Sequence, residues 1–403
     1  MKEELKYVVQ NITQRKVRSG LSILSILVGI TAIFALLSFG FGIQHYIDTL
    51  AADAGVDKLI IQARSIGAPG TDANFFLSKE DLDFVKKING INEIAGLYAK
   101  AGEIESRKQK RINFVLAYDT EFIDLIEESF AVDMDKGRKL KNNEMDKIVV
   151  GYNYQIDDKI FEKGLNVGDR VAVNGKEFEI VGFYSLVGNP QDDSNIYMTK
   201  QGAEELYGVD TKDKFAFAMV RADKGVDTTE LALRVKERLR KHNNQEEGEE
   251  NFFVQSFQDA LQTFSNIITI INSVLVMIAV ISMIVAFVNI MNTMYTAVLE
   301  RTKEIGIMKS IGARNNFIKF IFVLEAGILG FVGGVLGVAL GFIVAKIGEA
   351  DAASGGFSLL KPSFPIWLII GCVAFATIVG IASGYFPAKQ ASKLKPVDAL
   401  RYE

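Results

Sequence analysis

Hydrophobic residues are concentrated in four long stretches of this chain rather than spread evenly along it. The stretches 21–43, 267–298 and 366–386 contain no charged residue, and 320–345 contains only Glu325. A helix that crosses a bilayer needs about 20 predominantly apolar residues, and a buried helix of a soluble domain seldom runs this long without a charge. The pattern therefore predicts four membrane-spanning helices.

The first stretch follows a basic segment, as the apolar core of a secretory signal does. Its length exceeds the roughly 7–15 residues of such a core, and no A-x-A cleavage pattern closes it. We therefore expect an uncleaved membrane anchor.

The second stretch is too long for the bilayer, and its helical pattern continues upstream to Phe257. Because about 30 Å of hydrocarbon needs only about 20 helical residues, we expect this helix to extend outward as a stalk.

Residues 44–265, between the first two stretches, mix strand-like and helix-like segments. “DKLIIQA” (57–63), “FAFAMVRA” (215–222) and “FFVQSF” (252–257) have the composition of strands. “RVAVNGKEFEIVGFY” surrounds Asn-Gly, the strongest signal for a two-residue hairpin turn. The mixture predicts a large α/β domain of two lobes, inserted between transmembrane helices 1 and 2 of a membrane α-helical protein.

Two helices of this domain have clear sequence signals. Ser78 is followed three residues later by Asp81, which is the pattern of a reciprocal cap at a helix start. In “DTTELALRVKERLRKH”, Leu231, Val235 and Leu239 recur at helical spacing and would share one face. We expect that face to be buried.

Charge predicts the orientation of the chain. The segments 1–20, 299–319 and 387–403 together hold 14 basic and 6 acidic residues, whereas 44–265 holds 29 basic and 40 acidic ones. Cytoplasmic loops carry an excess of Lys and Arg. We therefore expect a multi-pass protein of the cytoplasmic membrane, with both termini and the 299–319 connection in the cytosol and 44–265 outside.

These patterns together predict the order of segments. The order is a cytosolic segment 1–20, transmembrane helix 1 at 21–43, an extracytoplasmic α/β domain with stalk ends at 44–265, transmembrane helix 2 at 266–298, a cytosolic charged segment 299–316, transmembrane helix 3 at 317–345, a short outer loop 346–365, transmembrane helix 4 at 366–386 and a cytosolic tail 387–403.

Residues that could carry chemistry are sparse. The one cysteine, Cys372, excludes a disulfide within the chain and a zinc site built from cysteines, and His45 and His242 lie far apart. The sequence contains no G-x-x-x-x-G-K-[ST] motif, so it has no P-loop with which to bind ATP. We expect no catalytic residue, no metal and no cofactor bound by this chain, and no nucleic-acid partner.

The third stretch combines a charge with a strip of small residues. Gly330, Gly333, Gly334, Gly337 and Gly341 include several pairs spaced by four, which allow helices to approach closely in lipid. Static packing within the chain and a moving or dimeric contact both remain open.

Glu325 lies a short way inside the same stretch, where a charge is costly unless it faces protein or the interface. We expect it to pair with a basic residue at the cytosolic edge, such as Lys319 or Arg314.

The run “ERTKEIGIMKSIGAR” (300–314) lies between the second and third stretches. On a helix, Glu300 and Glu304 lie one turn apart, and Glu304, Ile307, Met308 and Ile311 share a face. Small residues at Gly306 and Gly312-Ala313 let another backbone approach, and Gly312 can end the helix. A loop that only fixes topology needs no apolar stripe. A helix that docks into a protein groove is therefore favoured, ahead of one that lies on lipid headgroups.

Three segments resemble motifs of one family. The run at 300–314 resembles the E-R-x-x-E-I-G-x-x-x-x-x-G-A signature of MacB/FtsX/LolC-LolE-like permeases of the type VII ABC transporter superfamily. “NITQRKVRSGLSILSILVGITAIFALLSFGFG” resembles their first membrane segment and its basic lead. “YFPAKQASKLKPVDALRYE” resembles their closing P-A-x-x-A-x-x-x-x-P-x-x-A-L-R-x-E. The matches occur in the family's order, so the resemblance covers nearly the whole chain.

The resemblance implies a MacB-like periplasmic core domain at 44–265 and an FtsX-like permease domain at 266–403. It also implies that the segment 299–316 contains a coupling helix held in a groove of a separate ABC ATPase subunit, which binds ATP and Mg²⁺. The implied coupling residues are Glu300, Glu304, Ile305, Gly306, Ile307, Met308, Ile311, Gly312 and Ala313. A second copy of the chain or a paralogous permease would complete the complex.

Two functions remain open at this stage. In the first, ATP hydrolysis by the partner drives extracytoplasmic work by mechanotransmission, such as export of a drug, peptide or lipoprotein-type substrate, in some members with an adaptor protein. In the second, the chain is an FtsX-like signalling or scaffold protein that regulates a cell-envelope partner without moving a solute. Nothing in residues 44–265 identifies the substrate.

Overall fold

The computed structural model describes residues 16–54, 57–64, 75–208, 212–357, 360–396 and 399. The chain divides into two compact units. The membrane unit comprises 1–44, 267–351 and 360–403, and the outer unit comprises 45–266 and 352–359. The expectations for residues 1–15 and for the end of the tail lie outside the described residues.

The helices of the described residues differ widely in length. They are α1 (Lys16–Ala54), α2 (Lys79–Val85), α3 (Ile123–Phe130), α4 (Lys200–Tyr207), α5 (Thr228–His242), α6 (Phe257–Glu300), α7 (Thr302–Ser310), α8 (Asn315–Ser354) and α9 (Ile366–Lys393). Four of them, α1, α6, α8 and α9, are long and apolar enough to cross a membrane. The expectation of four transmembrane helices is thereby confirmed.

The core of the membrane unit lies where α1, α6, α8 and α9 meet. Ile26, Ile30 and Phe34 of α1 are fully buried there, together with Ile290 of α6 and Ala376 of α9. Polar side chains also link α1 to α6, because Ser22 donates to Thr293 over 3.1 Å and Asn289 donates to Ser25 over 2.6 Å. These four helices thus pack as one bundle. Much of α6 is exposed, including Ile270, Met277 and Ile284.

The glycine strip of α8 packs inside the chain. A Cβ added at Gly333 or Gly337 would lie within 3 Å of Ile26 or Ile30 of α1, and one added at Gly330 would lie 2.5 Å from the carbonyl oxygen of Ala376 in α9. Gly341 likewise faces Phe34, and Gly334 faces Ala376. The strip therefore packs against two neighbouring helices of the same chain, α1 and α9.

The outer unit is built on one ten-stranded sheet. The strands of the described residues are β1 (Lys58–Ala63), β2 (Leu77–Ser78), β3 (Ile91–Ser106), β4 (Gln109–Tyr118), β5 (Met134–Gly137), β6 (Lys147–Val150), β7 (Arg170–Val173), β8 (Lys176–Tyr184), β9 (Ile196–Thr199), β10 (Lys214–Phe215), β11 (Phe217–Ala222) and β12 (Phe252–Ser256). The sheet runs β12-β1-β11-β3-β4-β9-β6-β8-β5, and β7 bridges β3 and β8. The α/β expectation is confirmed.

The pairings of β7 close part of the sheet into a ring. The ring runs from β3 through β4, β9, β6, β8 and β7 back to β3. The open part, β12-β1-β11, continues from the other end of β3, a strand of 16 residues. The expectation of two lobes stays a prediction, and the ring and the open part share the long strand β3.

Local sequence signals account for several of these elements. Ser78 and Asp81 form the reciprocal cap at the start of α2. Asn174 and Gly175 form the two-residue turn between β7 and β8, with φ of 48° and 83°. In α5, Leu231, Val235 and Leu239 are all fully buried against the sheet. These predictions are confirmed.

Candidate functional site

The charged run between the second and third spans forms a separate short helix. Helix α6 ends at Glu300, Arg301 has φ −101° and ψ 16°, and α7 begins at Thr302. Glu300 and Glu304 therefore belong to two successive helices rather than to one. The expectation that they stack on a single helix is corrected, because the backbone turns at Arg301.

The other end of α7 is closed by a glycine motif. Gly312 has a φ of 98°, a conformation that favours glycine. The Ala313 amide donates to the Met308 carbonyl over 3.0 Å, and the Gly312 amide donates to the Lys309 carbonyl over 3.1 Å. This pair of hydrogen bonds is a Schellman motif. The sequence prediction that Gly312 ends the helix is confirmed.

One side of α7 is buried against the rest of the membrane unit. Ile305 is fully buried, and Gly306 is buried beside it. The cluster around Ile305 contains Val298, Ile318, Phe322, Ala388 and Ala391. Ile305 and Gly306 therefore cannot contact a partner directly in this conformation. Their expected place among the coupling residues stays a prediction, and in this structure both residues pack α7 onto the bundle.

A buried ion pair fixes the start of α7. The Arg301 guanidinium contacts the Glu325 carboxylate at 2.9 Å, and both side chains are about 95% buried, with 5% and 6% exposed. A second nitrogen of Arg301 lies 3.5 Å from the other carboxylate oxygen. The expected partners Lys319 and Arg314 are wrong. The Lys319 ammonium lies instead 4.0 Å from the centroid of the Tyr385 ring.

The far end of α7 is held by Lys309. Its ammonium donates to the carbonyl oxygens of Ser392 at 2.7 Å and Leu394 at 2.6 Å. These carbonyls lie at the carboxyl end of α9, where a helix dipole attracts a cation. Helix α9 continues through Pro387 to Lys393, so the first part of the expected cytosolic tail is helical. The tail motif thus supplies the surface to which the short helix is attached.

The opposite side of α7 is exposed and both apolar and acidic. Ile307 is 53% exposed and Ile311 is 81% exposed. Glu304 is exposed on the same side, Glu300 is exposed at the end of α6, and Met308 is half-buried. Exposed isoleucines beside carboxylates form a surface suited to a groove that is apolar at its floor and basic at its rim. We call Glu300, Glu304, Ile307, Met308 and Ile311 the α7 outer face.

Two residues of this site were not found by sequence reasoning. Arg301 and Lys309 are needed to attach α7, yet in the sequence they looked like ordinary topology-setting cations. The sequence offers one signal for Arg301. The third apolar stretch contains Glu325, a charge that needs a basic partner, and Arg301 is one of the nearby basic residues. Lys309 carries none, since its partners are backbone carbonyls 83 and 85 residues away.

The rest of the described chain offers no metal centre. In those residues, no group of three or more His, Cys, Asp or Glu side chains is placed to hold a metal ion. The cysteine, Cys372, is buried within α9. The α7 outer face is the candidate functional site, because it exposes apolar and acidic side chains together.

Four apolar helices, with a large outer unit between the first two, define a multi-pass membrane protein. Two family models match the chain: the MacB-like periplasmic core domain over residues 19–238 and the FtsX-like permease C-terminal domain over residues 276–396. The chain belongs to the MacB- and FtsX-like ABC transporter permeases. It is a membrane permease component of that kind, and the family implies an ABC ATPase partner.

Individual relatives agree with this assignment. An uncharacterized ABC transporter permease of Methanocaldococcus jannaschii is 31% identical and covers 99% of this chain and 98% of its own. The uncharacterized permease YvrN of Bacillus subtilis is 28% identical, with 100% of both chains covered. The macrolide export ATP-binding/permease protein MacB of Bdellovibrio bacteriovorus is 28% identical, and this chain spans 62% of its length.

Among solved structures, the periplasmic region of MacB from Actinobacillus actinomycetemcomitans is similar in fold to part of this chain. It is 15% identical, covers 54% of this chain and 96% of its own, and has a TM-score of 0.42.

Proposed function

We propose that this chain is the membrane subunit of an ABC transporter whose ATPase is a separate polypeptide, and that the α7 outer face binds this ATPase. ATP and Mg²⁺ bind to the partner rather than to this chain. Hydrolysis there drives work by the outer unit through mechanotransmission, in the export of a drug, peptide or lipoprotein-type substrate. Two copies of the chain, or this chain and a paralogue, assemble with two ATPases.

The observation that carries this proposal is the two-sided character of α7. The buried side is tied to α8 by the Arg301–Glu325 pair and to α9 by Lys309. The outer side exposes Ile307 and Ile311 where nothing in the described chain covers them. A helix that only fixed topology would need neither feature. A helix that transmits force between two proteins needs both, because a loosely attached helix would move without moving the bundle.

The relatives' names support a separate ATPase. The permeases that align over their whole length are named as permeases alone. An adaptor protein on the outer side is a further expected partner. The alternative function, regulation of a cell-envelope partner without a solute, uses the same ATPase contact and differs only in what the outer unit acts upon.

The proposal is tested by co-purification. The full chain, solubilised in a mild detergent, should bring down a P-loop ATPase encoded with it and should stimulate ATP hydrolysis by that protein. Glu304→Lys should insert normally but bind the ATPase about a hundredfold or more weakly, because charge reversal at a desolvated contact costs several kcal/mol. The retained ATPase is measured by quantitative mass spectrometry.

Glu121→Lys is the matched control. Glu121 is exposed in the outer unit, so the same change of charge there should leave the ATPase bound. If the wild-type chain brings down no P-loop ATPase, the proposed function is wrong. If it does, but Glu304→Lys retains it fully, the function stands and the docking face is wrong.

A further inference from the structure

The tip of the hairpin between β3 and β4 carries four cations in five residues. Arg107 and Lys108 form the turn, Lys110 and Arg111 follow it, and all four are exposed. Lys110 pairs with Glu103 at 2.7 Å and with Glu105 at 3.7 Å, and the hydrogen bond to Glu103 is the main cause that raises the pKa of the Lys110 ammonium. Within the described ranges, no ion pair involves the other three. The tip is therefore a cationic surface on a domain whose sequence has an acidic excess.

The turn residues are unusual for this kind of hairpin. Arg107 and Lys108 have φ of 48° and 69°, in the left-handed region that non-glycine residues seldom adopt. A second two-residue turn, among the described residues of the domain, uses Asn174 and Gly175, the residues that such turns favour. Folding alone gives no reason to place two long cations in this conformation. A requirement for charge at the tip does.

Beside the tip, the face of the hairpin that carries Glu103, Glu105 and Lys110 also presents apolar side chains. Ile112 is 76% exposed and Phe114 is half-buried on the same side of β4. They adjoin a cavity of about 380 Å³ formed with the segment that precedes β9. The cavity is lined by Ala101, Ile112, Asn113, Phe114, Pro190, Gln191, Ser194 and Asn195. Its size suits one or two apolar side chains.

The edge of β4 lacks a second strand at the same place, where the side chains of Gln109 and Asn113 contact Glu162 and Tyr154 instead. From Val115 to Tyr118, β4 pairs with β3 on one side and β9 on the other. Over Gln109–Phe114 its strand pairing in the described chain is with β3 alone. The ladder stops because the chain before β9 turns away through the 3₁₀ turn Asp192–Ser194. An unpaired strand edge is a template for an added strand.

We propose that an extended acidic segment of a protein partner binds along this edge of β4. Its backbone adds a strand beside residues 109–114, and an apolar side chain enters the cavity at Ile112 and Phe114. Its carboxylates contact Arg107, Lys108 and Arg111. A lipid headgroup would use only the cations and would leave the cavity and the strand edge without a role. The site lies in the outer unit and is independent of the ATPase contact.

The test uses the full chain in nanodiscs of neutral lipid and a fluorescent peptide of alternating Glu and Val as the probe. Fluorescence anisotropy should report binding that weakens as salt is raised to about 0.5 M, because exposed charges are screened. The double variant Arg107→Asn/Lys108→Gly removes both charges and keeps the turn favourable. It should bind the peptide about tenfold more weakly, with an unfolding temperature no lower than that of the wild type.

Two further variants separate this site from general electrostatics. Lys86→Gln/Lys87→Gln removes the same charge from exposed positions elsewhere in the outer unit and should leave peptide binding unchanged. Ile112→Thr keeps a β-branched residue in the strand and should weaken binding through the loss of the apolar contact. Equal losses in the two double variants, or full binding by Ile112→Thr, would overturn the proposal. So would binding of vesicles containing phosphatidylglycerol without binding of the peptide.

Discussion

Arg301 and Glu325 form a buried pair at the start of the short helix. Burial removes the hydration of both side chains. Their mutual attraction offsets this cost only while both charges are present. Removal of one partner from a buried pair costs about 3–5 kcal/mol because the other charge is left uncompensated, whereas replacing both partners is often neutral. Moving α7 away from α8 would break this ion pair and cost that free energy. The pair therefore couples the positions of the two helices.

Glu325→Gln should lower the stability of the detergent-solubilised chain by about 3 kcal/mol, since Arg301 is left buried without a counter-charge. The measurement is the shift in thermal unfolding followed by circular dichroism. The double variant Arg301→Gln/Glu325→Gln is the control and should recover most of the loss. A double variant as unstable as the sum of the two single variants would show that the side chains act independently.

The sequence placed Glu325 near a basic partner but could not choose the partner. Lys319 is six residues away on α8, which is about 240° around the helix, so the two side chains point to different sides. Arg301 is far along the chain and reaches Glu325 only because the backbone turns before α7. Such a contact depends on how the helices pack, and one sequence does not contain that information.

At the scale of elements, strong local signals were sufficient and long-range contacts were not. The Asn-Gly turn, the cap at Ser78 and the buried face of α5 follow from neighbouring residues, and the structure has all three. The four spans follow from apolar length in the same way. Two other features depend on which elements pack against each other, and periodicity does not specify that. They are the ring closed by β7 and the contacts of the glycine strip with both α1 and α9.

The attachment of α7 to α9 through Lys309 can be tested with one substitution. Lys309→Met keeps the length of the side chain and removes the ammonium that binds the carbonyls of Ser392 and Leu394. If the proposed coupling is right, the variant should bind the ATPase about as well as the wild type, because the α7 outer face is unchanged. Its ATP-dependent changes in the outer unit should weaken severalfold, as measured by hydrogen–deuterium exchange of the reconstituted complex.

Lys303→Met is the matched control on the same helix, since Lys303 is exposed. It should leave both ATPase binding and exchange in the outer unit unchanged. Equal behaviour of the Lys303 and Lys309 variants would contradict a bracing role for Lys309.

At the scale of the whole molecule, the basic segments predict an orientation in the membrane that can be tested at two positions. Cysteines introduced at Lys108 and Asn315, in a background with Cys372 replaced by alanine, should react differently with an impermeant maleimide on intact cells. The Lys108 position should be labelled and the Asn315 position should be protected until the membrane is opened. Labelling of Asn315 but not Lys108 on intact cells would reverse the assigned topology.

Helix α6 is the candidate path for the force that the proposed function requires. It runs without a break for 44 residues, about 66 Å at 1.5 Å per residue, from Phe257 to Glu300. Its first ten residues belong to the outer unit and the remainder to the membrane unit. A continuous helix can transmit displacement because each turn is braced by backbone hydrogen bonds, whereas a flexible chain lets its ends move independently.

Insertion of Gly-Gly-Ser after Gln262 should therefore separate the two activities that the proposed function joins. The insertion interrupts α6 within the outer unit, far in sequence from α7, so ATPase binding and hydrolysis should stay close to wild-type levels. The ATP-dependent change in hydrogen–deuterium exchange of the outer unit should be lost. The same insertion after Glu247, in the exposed turn before β12, is the control and should preserve both. An outer unit that still responds fully to ATP with the Gln262 insertion would mean that α6 does not transmit the force, and a path through the other helices would then explain the coupling better.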